Sequence, residues 1–231
     1  MTKVRHHASE QHHILNKRYY VVEEKVLKCI TYAKRNLVDL VYRAANVEGL
    51  GTTYLDTEAI IENLPVNTTR DEVIFILNMR DAYRFLFDNI DYDDNLMFIR
   101  ELNKIAGNNL IYGSGRLRTQ NVTIGGTKWV PAIPNEAVVL ENINILSSVA
   151  NAEVKAVAYF CYLCRSQLFI DGNKRVAQLM ANKILIENGV GIFAIPVERL
   201  TDFKRLLVSY YETNDALDLC IFLKTYCIER I

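Results

Sequence analysis

Nine residues concentrate the chain's polar chemistry: Gln167-Leu168-Phe169-Ile170-Asp171-Gly172-Asn173-Lys174-Arg175. Apolar helical runs flank them, Val154 to Cys164 before and Val176 to Ile186 after. A polar loop between buried runs must find partners, because an unpaired buried polar group costs roughly 2–7 kcal/mol on transfer scales. Asp171, Gly172 and Asn173 are turn and cap residues, and Lys174 opens a helical pattern. The first N–H groups of such a helix lack internal acceptors and sit at the positive end of its dipole. Gly172 allows close backbone approach, and Lys174 and Arg175 add positive charge. The combination describes an anion seat, most naturally for phosphate. Asp171 cannot bind an anion directly but suits Mg²⁺, which bridges to phosphate oxygens. On pattern alone, a capped helix start with solvated charges is an equal alternative. Gln178 and Asn182 follow Arg175 at i+3 and i+7, a polar stripe expected to face the seat.

The elements that must hold this loop read as mostly helical. Helices are expected over 19–48, 70–88, from the acidic cluster at 91–94 to about Gly107, over 152–166, 175–188, 200–211 and 216–226. Thr57 before Ala59-Ile60-Ile61 reads as the capped start of a short helix. The acidic cluster Asp91 to Asp94 reads as helix-start charge. Residues 122–130 differ: Val122-Thr123-Ile124, Gly125-Gly126, then Thr127-Lys128-Trp129-Val130 read as a β-hairpin. The length of 231 residues suits one domain with an extension. Equal numbers of basic and acidic residues, 27 each, argue against nucleic-acid binding through bulk charge. No apolar stretch is long enough for a membrane span, and the start is polar, so neither membrane nor secretory signal is expected. Five cysteines fall within helical patterns, and Cys161 and Cys164 form a CxxC; helix core is favoured over zinc. Their odd number fits a reducing, cytoplasmic compartment. Residues 1–18 carry His6, His7, His12 and His13 and read as a flexible tail.

The nine-residue string resembles the Fic (fido) signature HxFx(D/E)GN(G/K)R, with matches at Phe169, Asp171, Gly172, Asn173, Lys174 and Arg175. The motif's His falls on Gln167, and the family's second Arg falls on Gln178. The resemblance implies a mainly helical, all-α Fic fold with one β-hairpin flap. It implies a helical extension over about 19–89 and a Fic core over about 90–231, together one domain from 19 to 231. It implies ATP bound by Gly172, Asn173, Lys174, Arg175 and the Gln178 position, and Mg²⁺ held by Asp171. The flap, at Ile124, Gly125, Gly126 and Thr127, would dock an extended segment of a target protein. Ala44 to Gly49 resembles the family's inhibitory motif (S/T)xxxE(G/N), with Glu48 and Gly49 matched and Ala44 in the hydroxyl position. The family's Glu binds the second Arg; here Arg175 is the alternative partner. A solvated Glu48 before a helix-closing Gly49 is an equal alternative.

In the family the signature His takes the proton from the target hydroxyl. A general base supplies roughly 10²- to 10⁴-fold in rate, and Gln167 cannot act as one. The expectation is a Fic-fold nucleotide or phosphate binder impaired in AMP transfer. The alternatives are an active protein adenylyltransferase and an interaction module that uses the flap without nucleotide. A homo-oligomer is left open.

Overall fold

A computed structural model describes residues 23–231. The histidine-bearing tail at 1–18 and the expected helix start at Tyr19 lie outside the described residues. The order is α1 (Glu24–Arg35), α2 (Leu37–Glu48), α3 (Tyr54–Ile61), α4 (Arg70–Asp88), α5 (Leu96–Ala106), α6 (Glu136–Ser147), α7 (Ala152–Ser166), α8 (Asn173–Glu187), β1 (Gly191–Phe193), α9 (Leu200–Thr213), α10 (Leu217–Phe222) and β2 (Ile228–Arg230). A short 3₁₀ turn, Val197–Arg199, precedes α9, and a π turn, Leu223–Cys227, follows α10.

Side chains cap five of the ten α-helix starts among the described residues. Thr69 and Glu72 form a reciprocal capping box at α4. Asn95, Asn135 and Asn151 accept first-turn N–H groups at α5, α6 and α7. The long helix expected over 19–48 is divided at Asn36, which sits outside helical geometry between α1 and α2. Its side chain donates to the Tyr32 carbonyl and so competes with helix continuation. The cap of α3 is Thr53, paired with Asp56, not Thr57. Thr57 is buried one turn in and bonds back to the Thr53 carbonyl.

α8 is the central element. It is buried all round except at its ends and packs on α7, α5, α4, α1 and β1. A helix apolar on every face belongs in a core. Its polar members are each tied down. Asn182, expected to face the anion seat, instead exchanges hydrogen bonds with the Phe193 backbone and so staples β1 to α8. Lys183 is fully buried, with its Nζ 2.8 Å from Asp94 Oδ1 and a second contact to the Glu187 carboxylate. Lys155 reaches Asp94 Oδ2 at 2.5 Å. Asp94 is therefore a buried counter-ion, which corrects its reading as helix-start charge; Asn95 does the capping.

The mainly helical class holds, with one antiparallel strand pair among the described residues. That pair is β1 with β2, Ile192 opposite Glu229. The hairpin expected at 122–130 turns at Gly125-Gly126 but forms no ladder among the described residues. Side chains take its donors instead: the Trp129 N–H bonds to Thr127 Oγ1, and Thr127 Oγ1 donates to Glu212 Oε1 on α9. Among the described residues, no helix is long and apolar enough to cross a membrane.

Candidate active site

The loop between α7 and α8 is held by its own side chains. Gln167 closes α7 in the left-handed conformation, at φ +46°. Its amide is engaged at both ends: Nε2 donates to the Cys164 carbonyl at 2.6 Å, and Oε1 accepts from Asn173 Nδ2 at 2.9 Å. Asn173 Oδ1 accepts the Phe169 N–H, and Asn173 Nδ2 also donates to the Phe169 carbonyl. Asn173 is thus a latch across the loop, and Phe169 is the buried anchor that the latch fixes.

Gly172 is the N-cap of α8, at φ +80°, and offers no capping side chain. A Cβ there would lie 3.0 Å from Asn103 Nδ2 and 3.2 Å from Ile111 Cδ1. The left-handed backbone and the tight contacts both favour glycine. No side chain caps the first-turn N–H groups of α8, the condition under which a helix start can seat an anion. Asn103 supports the turn from α5, donating to the Asp171 carbonyl and accepting the Gly115 N–H.

These groups open onto a cleft of about 470 Å³, lined by Glu48, Thr123–Gly126, Gln167, Asp171, Asn173 and Lys174, with α9 as the far wall. From α9, Phe203, Lys204, Leu207, Val208 and Tyr211 face it. Burial pushes the Tyr211 phenol well above its ordinary value, so it remains protonated.

The charged residues divide between the cleft and the core beneath it. Lys174 faces the cleft, 3.2 Å from Glu48 Oε2. Arg175 turns away: its guanidinium donates to the Ala106 carbonyl and to Asp171 Oδ2, each at 3.0 Å, and lies over the Phe75 ring. Gln178 is buried, bonds to the Lys174 carbonyl and does not line the cleft. The cationic cradle expected from Lys174, Arg175 and the Gln178 position therefore reduces, at the cleft surface, to Lys174. Lys204 adds a second cation, one that sequence reasoning passed over because it lies 30 residues on, in an ordinary amphipathic helix.

Glu48 ends α2, and Gly49 follows at φ +83° as the helix-closing residue. The carboxylate nevertheless points into the site: Oε2 pairs with Lys174, while Oε1 is buried without a hydrogen bond, 3.9 Å from Arg175 Nε. Ile124, Gly125 and Gly126 form the opposite lip, and Thr127 is drawn to Glu212.

Arg118 is a second residue missed from sequence. It is almost fully buried and donates to the carbonyls of Gln167, Gln120, Pro131 and Ala132. One side chain thereby clips both stems of the 119–132 loop to the carbonyl of Gln167. Residues from three separated stretches, 118–120, 131–132 and 167, meet here, with no local pattern to announce them.

The donor set fits a hard cation in one limited way. Asp171 is largely exposed, and each oxygen already accepts one hydrogen bond, from the Gly172 N–H or from Arg175. Each oxygen keeps further acceptor capacity. No cluster of three His, Cys, Asp or Glu that could hold a metal occurs among the described residues. One carboxylate with open positions suits Mg²⁺ that arrives with phosphates, not a resident metal cage.

The Fic/DOC family model matches residues 93–185, which run from the start of the α5 region to the end of α8. This segment is similar to the Fic/DOC family. Protein adenylyltransferase fic-1 of Caenorhabditis elegans is 27% identical over 180 residues, covering 71% of this chain and 34% of that protein. Its namesake in Caenorhabditis briggsae matches to the same extent. The chain thus spans about a third of the length of the curated relatives it matches. Among solved structures, a Fic-1 fragment from C. elegans superposes with a TM-score of 0.72 at 20% identity, covering 87% of this chain and 68% of that one. A Fic-domain-containing signaling protein from Bacteroides thetaiotaomicron gives 0.69 at 19%, covering 89% and 87%. These superpositions extend the Fic likeness from the 93–185 segment to most of the fold.

Proposed function

We propose that this Fic domain binds an ATP-type nucleotide at the start of α8 and transfers AMP poorly. The observation that carries the reading is the state of Gln167. It occupies the position of the family's base, and both ends of its amide are committed to the loop. Transfer to a protein hydroxyl needs a group that accepts the hydroxyl proton. Of the side chains lining the cleft, only the carboxylates Glu48 and Asp171 accept protons readily, and both are already paired with cations. Binding makes fewer demands. The open N–H groups of α8, Lys174 and Lys204 supply donors and positive charge for phosphates. Mg²⁺, when bound at Asp171, would offset phosphate charge.

The loop at Ile124 to Thr127 is the lip where a target segment would dock, with its hydroxyl delivered toward Gln167. Glu48 would hold Lys174 until a phosphate competes for it. Calorimetry with ATP and Mg²⁺ should show binding, and labelled ATP with lysate should show little transfer. Gln167→His should raise transfer by roughly 10²- to 10⁴-fold. Robust wild-type labelling that His does not improve would overturn this reading.

A second reading, a working protein adenylyltransferase, is favoured by the names of the curated relatives. It requires Asp171 or Glu48 to be freed as the base. In that case Asp171→Asn or Glu48→Gln would abolish wild-type labelling.

A further inference from the structure

Cys161 on α7 and Cys220 on α10 are 59 residues apart in sequence, and their sulfurs lie 3.8 Å apart. No spacing rule pairs them: the obvious partner of Cys161 in the sequence is Cys164, in the same helix. Cys220 is partly exposed, whereas Cys29, Cys161, Cys164 and Cys227 are buried. We propose that Cys161 and Cys220 form a reversible thiol–disulfide site whose co-reactant is a small disulfide of the glutathione class.

The two thiols are unequal in a way that orders the steps. The Cys161 hydrogen bond, with help from nearby Lys224, lowers the Cys220 thiol to about 7, so it carries a large thiolate fraction near neutrality. Burial raises Cys29, Cys164 and Cys227, and Cys161 is raised by its hydrogen bond to Cys220 and by burial, so Cys220 reacts first; capping Cys220 removes the bond that holds the Cys161 proton. Cys220 thiolate attacks one sulfur of the small disulfide and expels one thiolate, which leaves a mixed disulfide on Cys220. Cys161 then gives up its proton to solvent and attacks Cys220 Sγ, expelling the second thiolate. Two protein thiols are oxidised and one small disulfide is reduced to two thiols. A reducing thiol pool reverses both exchanges.

The bond would have a defined structural effect. It would close a ring from 161 to 220 that contains Gln167, the 168–172 loop, α8 and α9. Those are the walls of the cleft apart from Glu48 with Val47 and the 123–126 lip. Oxidation would therefore limit how far α9 can move from α7.

The test uses the whole chain, folded, with glutathione disulfide, then alkylation and peptide mapping. The expected product is a Cys161–Cys220 crosslink with Cys29, Cys164 and Cys227 still free. Cys161→Ser should stop at a glutathione adduct on Cys220, and Cys220→Ser should give neither adduct nor crosslink. Oxidised wild type should melt higher by roughly 5–15 °C, with no oxidant-dependent shift in the double variant. The proposal is overturned if Cys220 stays alkylatable, if the bond forms to Cys164, or if crosslinking needs denaturant. A crosslink that leaves the melting midpoint unchanged overturns the claim that it constrains the cleft.

Discussion

α8 carries an ion network at each end, and the two are finished differently. Toward the C-terminus, Lys183 and Lys155 face Asp94 and Glu187; Lys183 and Asp94 are almost fully withdrawn from water. Toward the N-terminus, Lys174 and Arg175 face Glu48 and Asp171. Each group balances two positive charges against two negative. The first is closed: Lys183 bridges both carboxylates, and Asp94 holds both lysines. The second is open: Glu48 Oε1 comes no nearer than 3.9 Å to Arg175 Nε, and Asp171 projects into solvent. A closed network locks helices together. An open one keeps capacity in reserve, and on the proposed function a phosphate ligand would use it.

The sharpest way to break this contrast is to remove one cation from each end. Lys183→Met leaves two carboxylates, Asp94 and Glu187, facing Lys155 alone and should cost roughly 3–5 kcal/mol in urea unfolding. Lys174→Met should cost less than about 1 kcal/mol, because its ion pair is partly solvated, yet it should weaken ATP binding measured by calorimetry. Equal losses of stability would erase the distinction. Gly172→Ala should cost at least about 1–2 kcal/mol for the left-handed backbone alone. It should also weaken nucleotide binding, since the new methyl group presses on the Asn103 amide that holds Asp171. Glu48→Gln should change stability by less than about 1 kcal/mol and tighten ATP binding several-fold by freeing Lys174. Unchanged affinity would mean that Glu48 does not compete with phosphate.

The smallest effect concerns pH. Burial pushes the Glu187 carboxyl up to about 7 against the pull of Lys183, with Asp94 adding to the rise and Lys155 opposing it. The folded protein then holds this proton more tightly than the unfolded chain does. The contribution favours folding below the ordinary carboxylate range and is lost as pH rises to about 7. Glu187→Gln should flatten that decline in urea midpoints measured across the same window. A slope identical to wild type would assign it to another group.

What was legible in the sequence follows from where the information resides. α4 and α7 were readable to the residue because their caps and periodicity are local: Thr69 with Glu72, and an apolar run ending at Ser166. The signature loop was readable because its residues are contiguous. The unread parts depend on distant partners. The direction of Arg175 is decided by the Ala106 carbonyl and Phe75. Asp94 is decided by two lysines, 61 residues on and further along. The missing ladder at 122–130 depends on Glu212, which draws Thr127 and the Lys128 N–H toward α9. Period and propensity describe what a segment prefers alone, and these segments are settled by what lies across from them.

Arg118 binds the carbonyls of Gln120, Pro131 and Ala132 together with that of Gln167. With both stems of the 119–132 segment gathered at one point, its tip is free to change length and sequence while the stems stay registered against the loop below. On the proposed function, the choice of docked segment would thus be set by a few residues at 123–127, without rebuilding the pocket beneath them.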